Sequence, residues 1–376
     1  MRIVQLVPGL TVGGAERIVS LLAAAQAQQG HTVCVVALGP RTDSWIEKDL
    51  DGNGAEMVFL DKSPGLDPRA IPRLGRWLRR WRPDVVHTHL HVLKYLLPTR
   101  LVYRPPAIVH TLHNLAENEA SPADQALQRL AFRWRVAAVA IGDAVADSAV
   151  ALYGRPPADT IPNGVPVDAF QSGPEVGPAL RLSLGLAADA PVLLSVGRLN
   201  PQKNQKLLLD AFSRLDPALG AQLLIAGKGE LRSDLEAQAK ALGITDAVHF
   251  LGVRRDVPAL LAAADVFVLS SLYEGNPLVV MEAMAAGRAV VSTSVGCVPE
   301  LVGPQTGRLV PSDDPAALAA ALADLCADRG STRALGQGAL QVARARFDVS
   351  VMARHYAQLY ARLVGPASAD PGSSDR

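Results

Sequence analysis

Two glutamates flank a predicted helix start in the segment EGNPLVVME, residues 274–282. Asn276 is a residue type that caps helices, and Pro277 is favoured as a first helical residue because its missing N–H would have no partner there. Glu274 then stays on the preceding loop, while Glu282 falls on the second turn, roughly 7.5 Å along the helix axis. The spacing predicts that one elongated ligand could reach both carboxylates.

The same helix start is suited to binding an anion. The amides of Leu278 and Val279 would have no acceptor inside the helix, and such amides attract phosphate together with the helix dipole. A carboxylate can accept hydrogen bonds from two neighbouring hydroxyls, so Glu274 and Glu282 would suit a sugar or ribose at either end of a diphosphate. The alternative is an ordinary helix start between two solvated glutamates.

Two cations follow another predicted strand. The apolar run PVLLSVG ends at Gly197 and leads into RLNPQKN, so Arg198 and Lys203 would emerge at the end of that strand. Fixed cations in a dry cleft could hold a diphosphate and stabilise the charge that it gains as a leaving group when a glycosidic bond breaks. A Lys or Arg after a strand is otherwise usually a solvated loop residue.

Glycines at strand ends indicate either close approach of a ligand or simple turns. Gly227 begins a GKG turn after the run AQLLIAG, and Gly13 and Gly14 follow the first apolar run. This pair lacks the third glycine of a dinucleotide-binding fingerprint, and the chain has no GxxxxGK[ST] motif, which argues against a dehydrogenase and a P-loop kinase. Asn163-Gly164 predicts a turn between domains.

Histidines cluster on two neighbouring predicted strands. His87, His89 and His91 alternate from the end of one strand, and His110 and His113 follow on the next. Alternation places the first three on one face, which would permit a metal site, but no carboxylate stands at an obvious ligand spacing. Structural or solvent-facing roles, and contact of at least one histidine, best His110, with a substrate, are the alternatives.

The elements that must position these residues alternate between strand and helix. At 376 residues and 49% hydrophobic content the chain suits two α/β domains with buried parallel strands. Apolar runs followed by helical spacing predict two doubly wound, Rossmann-like sheets, with a ligand where their carboxyl ends face each other. The predicted parts are a first domain at 1–170, a second at 171–347, a helix at 348–364 returning to the first domain, and a disordered tail at 365–376.

Composition excludes several classes of protein. A net charge of +1 without long runs of one sign argues against a nucleic-acid partner. Three scattered cysteines, no signal sequence and no long apolar stretch predict a cytoplasmic protein. The basic stretch RLGRWLRRWR at 73–82 would allow peripheral contact with the inner face of a membrane; an exposed helix with tucked-in tryptophans is the alternative.

Several motifs occur together between about residues 3 and 360. Besides the glycine pair and the histidines, they are IPNGV at 161–165, GRLNPQKN at 197–204, GKGE at 227–230, EGNPLVVMEAMAAGRAVVSTSVGCVPE at 274–300 and GRLVP at 307–311. In combination they resemble glycosyltransferase family 4. The resemblance implies a GT-B fold, in which two Rossmann-like domains face each other across a deep cleft, and a nucleotide-diphosphate-sugar donor. It also implies retention of anomeric configuration and no obligatory metal.

The resemblance also implies roles for single residues. Arg198 and Lys203 would bind the donor diphosphate, and Glu282 would hydrogen-bond the nucleotide ribose. Glu274, with the helix amides, would position the transferred sugar, and His110 would contact that sugar near its reacting carbon. The implied catalytic residues are His110, Arg198, Lys203 and Glu274; the implied donor-binding residues are Gly13, Gly14, Arg198, Lys203, Gly227, Gly252, Glu274, Gly275, Asn276, Pro277, Leu278, Val279 and Glu282.

The predicted function is therefore that of a retaining hexosyltransferase acting on a glycan, glycolipid or small-molecule acceptor in polysaccharide or glycoconjugate biosynthesis. No cofactor beyond the nucleotide-sugar co-substrate is expected. Cys297 in VGCVPE and Pro166 in IPNGVPVD depart from the family pattern, at positions where the resemblance implies the sugar pocket and the hinge. A nucleotide-sugar epimerase on the same fold and a non-catalytic sugar-binding relative are the alternatives.

Overall fold

The structure is a computed structural model that describes residues 1–11 and 13–365. Within these residues the chain forms two compact units: unit 1 contains residues 1–162 and 349–365, and unit 2 contains residues 163–348. The predicted tail lies, from residue 366 onward, outside the described residues.

The division falls between Pro162 and Asn163, whereas the sequence predicted a boundary after residue 170. The intervening segment belongs to unit 2 because its apolar side chains, Val167 and Phe170 among them, are buried in the core of that unit. The backbone N–H of Val165 also donates to the carbonyl of Phe347, 2.9 Å away.

Unit 1 is built on a parallel sheet whose strands are mostly runs of buried apolar residues. Such strands need cover on both faces, and the helices that connect them in sequence provide it. The described strands lie in the order β3-β2-β1-β4-β5-β6-β7. They are β1 Arg2–Val7, β2 Thr32–Ala37, β3 Glu56–Phe59, β4 Val85–His89, β5 Ala107–Leu112, β6 Val136–Ala140 and β7 Asp159–Thr160; the helices between them are α1 Gly14–Gln28, α2 Trp45–Asp51, α3 Ala70–Trp81, α4 Leu93–Thr99, α5 Ala116–Glu119, α6 Pro122–Arg133 and α7 Asp143–Tyr153.

Unit 2 repeats this architecture. Its described strands are parallel and lie in the order β10-β9-β8-β11-β12-β13, with an apolar cluster on each face. The strands are β8 Val192–Val196, β9 Gln222–Ala226, β10 Val248–Gly252, β11 Val266–Leu269, β12 Ala289–Thr293 and β13 Gly307–Val310; the helices are α8 Val176–Ser183, α9 Gln205–Phe212, α10 Arg232–Ala241, α11 Val257–Ala263, α12 Leu278–Ala285, α13 Val298–Leu301, α14 Pro315–Ala327 and α15 Arg329–Val342.

Local sequence explains where individual helices begin. Helix α14 starts at Pro315, a favoured first helical residue, directly after Asp314. The Asp314 carboxylate accepts from the amides of Ala316 and Ala317 at 3.0 and 2.9 Å. The cap satisfies two donors that have no partner inside the helix.

The last helix, α16 (Val349–Val364), belongs to unit 1 although it follows unit 2 in sequence. Its Tyr356 and Tyr360 are buried, and their hydroxyls bond to Thr111 on β5 and His87 on β4 at 2.8 and 2.7 Å. The helix is therefore fixed to the sheet of unit 1 by polar as well as apolar contacts.

Helix α3 carries the basic, tryptophan-containing stretch. Leu74 and Leu78 are buried in unit 1, while Arg76, Arg79 and Arg80 are exposed. Its two tryptophans are partly exposed and stack with ring centroids 5.4 Å apart. No helix in the described part of the chain is both long and apolar enough to cross a bilayer.

In each sheet the strand order reverses at one point, between β1 and β4 in unit 1 and between β8 and β11 in unit 2. Loops that leave the carboxyl ends of such a strand pair run in opposite directions and open a crevice, which is where doubly wound sheets bind ligands. The two loops at the unit 2 reversal carry Arg198, Lys203 and Glu274.

Candidate active site

The loops after β8 and β11 meet at the strand-order reversal of unit 2. Lys203 Nζ lies 2.5 Å from Glu274 Oε1, and the Ser271 hydroxyl donates to the same oxygen at 2.6 Å. The Ser270 hydroxyl donates to the Lys203 carbonyl at 2.9 Å. The two residues predicted to act on the diphosphate and the sugar are thus brought together as an ion pair.

A short capped turn holds Lys203 in place. Asn200 Oδ1 accepts from the Lys203 amide at 3.2 Å and closes a single 3-10 turn over residues 201–203. The Gln205 side chain donates to the Arg198 carbonyl at 2.8 Å, which fixes the other end of the loop. The Arg198 side chain itself is exposed. One loop therefore presents a fixed lysine and an exposed arginine.

Glycines allow the neighbouring loops to pack against this one. Gly227 has φ +148°, and a Cβ there would overlap the carbonyl oxygen of Gly197. Gly229 would likewise overlap the carbonyl of Leu199. The GKG turn after β9 is thus required for backbone packing, a role that the sequence interpretation of Gly227 did not include.

Gly296, after β12, is a further position that requires glycine. Its φ is +53°, and a Cβ would overlap the carbonyl oxygen of Glu274. The Cys297 amide donates to the Gly275 carbonyl at 3.0 Å. The small-residue loop VGCVPE therefore supports the backbone of the Glu274 loop, a role that the sequence interpretation of this loop did not include.

Helix α12 begins one residue later than predicted. Pro277 has extended backbone (φ −73°, ψ 113°) and occupies the cap position, so Leu278 is the first helical residue. Asn276 lies before the cap, and its carbonyl accepts from the Asn163 side chain at 3.3 Å. The predicted capping by Asn276 is wrong, but the Leu278 and Val279 amides still lie at the helix start.

Both glutamates that flank this helix start are nearly buried. Glu274 and Glu282 each expose 6% of their surface. A buried carboxylate is costly unless it is paired or hydrogen-bonded, so a solvated pair of glutamates does not describe them. Burial of two acids on the loop and helix at a strand-order reversal favours a ligand site.

In unit 1, His110 is fully buried and both of its ring nitrogens are bonded inside the protein. Nδ1 lies 2.8 Å from the Thr88 hydroxyl, and Nε2 lies 3.2 Å from the Gln128 side-chain nitrogen. Burial lowers the pKa of His110 to about 3. This placement argues against the predicted contact of His110 with a sugar, because no ring atom reaches the surface.

His113 stands at the end of β5 and is partly exposed. Its Nε2 lies 2.9 Å from His89 Nδ1, and His89 Nε2 lies 2.8 Å from the Gln5 side-chain oxygen. Since that oxygen can only accept, His89 carries its proton on Nε2 and accepts on Nδ1. His113 must then donate through Nε2, which leaves its Nδ1 as a hydrogen-bond acceptor.

The hydrogen bonds continue from Gln5 into the core of unit 1. The Gln5 side chain donates to Gln26 at 2.8 Å, and Gln26 donates to the Tyr360 hydroxyl at 3.3 Å. His87 joins that hydroxyl to Thr111 through its two ring nitrogens, each at 2.7 Å. The metal alternative for His87 and His89 is therefore not supported, because hydrogen bonds use both nitrogens of each ring.

Burial holds these histidines neutral. It lowers the pKa of His113 to about 4 and the pKa values of His87 and His89 well below the usual range. Glu119 ends the short helix α5, which follows β5, and accepts from the His113 amide at 3.1 Å; burial raises its pKa to about 8. Sequence reasoning missed Glu119 because no pattern marks it in that segment.

Helix α1 begins at the glycine pair. Gly13 is its cap residue with extended backbone, and a Cβ there would overlap the Glu16 carboxylate, whereas Gly14 is the first helical residue and has open space around it. Across the described side chains, no group of three or more His, Cys, Asp and Glu could hold a metal ion. Independence of a metal remains a prediction.

Comparison with known proteins identifies the family. A sequence model described as Glycosyltransferase Family 4 matches residues 12–169, and one described as Glycosyl transferases group 1 matches residues 190–328. The D-inositol 3-phosphate glycosyltransferase of Thermobispora bispora is 33% identical over 309 residues, covering 74% of this chain and 70% of that protein. The chain belongs to glycosyltransferase family 4.

Other relatives differ in what their names say they act on. The UDP-Gal:alpha-D-GlcNAc-diphosphoundecaprenol alpha-1,3-galactosyltransferase of Escherichia coli is 29% identical over 68% of this chain and 69% of that protein. Three further relatives are matched over only 53%, 56% and 60% of their own length. Membership of the family therefore does not by itself fix the substrates.

Solved structures show the same fold. Anabaena Alr3699/HepE in complex with UDP has a TM-score of 0.82 at 24% identity, covering 96% of this chain and 100% of that chain. Sucrose-phosphate synthase from Thermosynechococcus elongatus has a TM-score of 0.80 at 22% identity, covering 96% and 99%. The predicted fold class, two Rossmann-like α/β domains of the GT-B glycosyltransferase type, is confirmed.

Proposed function

We propose that this protein transfers a sugar, with retention of configuration, from a nucleotide-diphosphate sugar to a glycan or lipid-linked acceptor in glycoconjugate biosynthesis. The observation that carries the proposal is the Lys203–Glu274 ion pair, 2.5 Å long, beside the start of α12 at the strand-order reversal of unit 2. The UDP complexes of Alr3699/HepE and the galactosyltransferase named above support the donor and acceptor classes.

In this proposal the donor diphosphate lies between cations and helix amides. Lys203 and the exposed Arg198 supply positive charge, and the amides of Leu278 and Val279 donate from the start of α12. The ion pair with Glu274 fixes the lysine before the donor arrives, which lowers the reorganisation needed in the transition state. Arg198 and Lys203 would supply the charge stabilisation that a metal ion provides in other enzymes.

The transfer step would proceed on one face of the sugar. The bond between the anomeric carbon and the β-phosphate oxygen breaks while the acceptor oxygen bonds to the same face of that carbon. The acceptor proton passes to the departing phosphate oxygen, and the cations and amides stabilise the negative charge on that phosphate. The Glu274 carboxylate would accept from hydroxyls of the transferred sugar, and Glu282 would accept from those of the ribose.

In unit 1, the histidine available to a ligand would be His113 rather than His110, because His113 is partly exposed. Its Nδ1 remains a hydrogen-bond acceptor, which suits a sugar hydroxyl, and its Nε2 is fixed by His89. We expect His113→Ala to lower kcat/KM about a hundredfold, a loss of about 2.7 kcal/mol of transition-state stabilisation. The matched control is His91→Ala, because His91 is exposed and lies two residues after His89 in the sequence.

Steady-state kinetics would measure both variants, and circular dichroism would check that they fold equally well. Equal rates for His113→Ala and His91→Ala would contradict a role for His113 in the site.

The tryptophans and exposed arginines of α3 would bring the protein to the inner face of the membrane, where a lipid-linked acceptor resides.

A thermal-shift panel of UDP-, GDP- and ADP-sugars tests the function directly. We expect one nucleotide-sugar to raise the unfolding midpoint, because a ligand at a hundred times its Kd stabilises the native state by about 2.7 kcal/mol. Lys203→Ala should weaken this shift. Incubation with the stabilising donor and an acceptor, followed by NMR of the anomeric proton, should then show a new glycoside of unchanged configuration. Absence of any shift, or donor conversion without an acceptor, would contradict the proposal.

A further inference from the structure

A cavity of about 480 Å³ opens at the amino ends of the unit 2 strands. Among its lining residues, Pro191, Asp265 and Arg288 directly precede β8, β11 and β12. The candidate donor site lies at the carboxyl ends of the same sheet, about 15 Å away for strands of this length at about 3.3 Å per residue. The cavity is therefore separate from the donor site.

The cavity concentrates positive charge. Its lining contains four arginines, Arg181, Arg288, Arg329 and Arg333, against one aspartate, Asp265, a formal charge of +3. The whole chain carries a formal net charge of only +1. A wall with several guanidinium groups of one sign suits a ligand that carries more than one negative charge.

Arg181 and Asp265 form the fixed part of this wall. The Arg181 guanidinium donates to the carbonyl oxygens of Ala263, Ala188 and Ala190 at 2.7 to 3.1 Å, and to Asp265 Oδ2 at 2.8 Å. The same aspartate oxygen accepts from the Val192 amide at 2.8 Å. These contacts neutralise Arg181 and leave the charge of the other three arginines for a ligand.

Arg288 is the arginine that would be stabilised most by a bound anion. It is partly buried, and burial lowers the pKa of its guanidinium. Nε donates to the Ala286 carbonyl at 3.0 Å and Nη1 to the Ala264 carbonyl at 2.9 Å. Nη2 bonds to no described residue, so a ligand oxygen in the cavity could accept from it.

Arg329 and Arg333 occupy the first two turns of α15. They are four residues apart and share one face of the helix, where like charges repel each other. Positive charge is also unfavourable at a helix start because the dipole is positive there. Across the described chain, neither guanidinium makes a hydrogen bond or ion pair with another residue. A bound anion would relieve both repulsions.

The cavity also has apolar lining residues. Pro178, Leu182 and Leu186 are among them, and 81% of the Leu182 surface is exposed. Its volume falls within the range of small-molecule sites. We propose that this cavity binds a soluble phosphorylated small molecule, with phosphate on Arg288, Arg329 and Arg333 and a carbon skeleton on the apolar wall.

Calorimetric titration of the full chain with fructose 1,6-bisphosphate tests the proposal. We expect saturable binding that weakens at least about tenfold in Arg329→Gln/Arg333→Gln. The matched control is Arg214→Gln/Lys240→Gln, which removes two exposed charges of unit 2 outside the cavity lining. It should change the Kd less than about twofold.

A further variant separates this site from the proposed donor site. Arg198→Gln/Lys203→Gln should keep the bisphosphate affinity, so failure of the proposed function would leave this inference intact. Loss of affinity in that variant with none in Arg329→Gln/Arg333→Gln would overturn the proposal, as would absence of binding to the wild type. Sedimentation with phosphatidylglycerol vesicles tests the other source of phosphate. Binding to vesicles that depends on the arginines, without binding to the soluble probe, would contradict the proposal that the ligand is soluble.

If Arg329→Gln/Arg333→Gln folds poorly, the bisphosphate affinity of Arg333→Gln alone would test the proposal. Both arginines are exposed, so circular dichroism should show a native fold. A crystal soaked in tungstate should then show the anion beside Arg288 in the wild type. Tungstate bound elsewhere in unit 2 with this cavity empty would count against the assignment.

Discussion

On acidification from pH 7, unit 1 should unfold at a higher pH than unit 2. Unit 1 contains four neutral histidines, of which His87, His89 and His110 are buried and His113 is partly buried, and this burial lowers the pKa of each. In the unfolded chain a histidine has a pKa of about 6.5, so below that pH the unfolded state binds protons that the folded state excludes. The stabilisation from neutral burial is complete above pH 6.5 and is lost as the pH falls.

The magnitude is large compared with the stability of a domain. At pH 5 a histidine whose folded pKa is about 4 or lower costs about 2 kcal/mol, so His110 and His113 together cost about 4 kcal/mol. His87 and His89 act in the same direction. Typical domains are stable by only about 5–15 kcal/mol. Unit 2 contains a single histidine, His249, so its stability should depend far less on this titration.

Glu119 opposes this trend. Its folded pKa of about 8 exceeds the unfolded value of 4.5, so the protonated form is favoured in the folded state. This stabilisation is complete below pH 4.5 and is lost as the pH rises towards 8. Between pH 7 and pH 5 it returns about 2.5 kcal/mol to unit 1. Four histidines against one carboxyl leave a net loss on acidification.

The positions of the tryptophans allow the two units to be followed separately. Trp45, Trp77, Trp81 and Trp134 are the four tryptophans of the chain, and all lie in unit 1. Tryptophan fluorescence should therefore change at a higher pH than far-ultraviolet circular dichroism, which reports both units. Coincident transitions from the two probes would contradict the prediction.

Two variants check the cause. His110→Gln can keep one hydrogen bond without titrating, so the fluorescence transition should depend less steeply on pH. His355→Gln is the control, because His355 lies on the exposed side of α16 in the same unit. Equal pH dependence in the two variants would show that the buried histidine does not drive the transition.

The fold could be predicted largely because strand and helix signals are local. The runs RIVQLV, AIVHTL and VHFLG form β1, β5 and β10, since buried parallel strands are continuous apolar runs. Strand β7 could not be predicted, because Asp159 and Thr160 pair with β6 over too short a stretch to form a pattern.

Helix α15 was not predicted because its sequence contains residues that disfavour helices. Gly330, Gly336 and Gly338 each lower helix propensity by about 1 kcal/mol relative to alanine. Two of them are needed for packing: a Cβ at Gly336 would overlap the carbonyl of Gly287, and one at Gly338 the carbonyl of Gln305. Tertiary contacts, which the sequence does not show, decide this helix.

The candidate site could likewise be predicted only in part. The Lys203–Glu274 pair could be anticipated, because both residues follow strands whose carboxyl ends meet at one edge of a sheet. The burial of His110 could not be anticipated, because the sequence pattern of a histidine on an apolar strand is the same whether its ring faces the core or a ligand. The fixed proton of His113 depends on Gln5 and Gln26, which are distant in sequence.

Replacing Lys203 should have the largest effect on transfer. We expect Lys203→Ala and Glu282→Ala each to lower the transfer rate at least about a hundredfold with the fold intact, because each would raise the barrier by about 2.7 kcal/mol. The control is Lys206→Ala, since Lys206 is exposed three residues further along the chain. Initial rates with the donor found in the thermal-shift panel would measure all three.

Lys203→Ala also leaves Glu274 without its cation. The side chains of this pair are 18% and 8% exposed, and removing one partner of a buried pair costs about 3–5 kcal/mol of stability. The double variant Lys203→Met/Glu274→Gln removes both charges and should recover most of that stability. Transfer should nevertheless stay at least about a hundredfold down, because the charge that stabilises the leaving phosphate and the carboxylate that positions the sugar are both absent.

Comparing the single and double variants distinguishes an effect on the transfer step from an effect on the stability of the fold. If loss of stability caused the slow transfer, the double variant would recover rate together with stability. If Lys203 stabilises the leaving diphosphate, stability and rate separate, and the double-mutant cycle shows strong coupling in unfolding free energy but little recovery of kcat. Near-wild-type turnover in Lys203→Ala or in Glu282→Ala would contradict the proposed site itself.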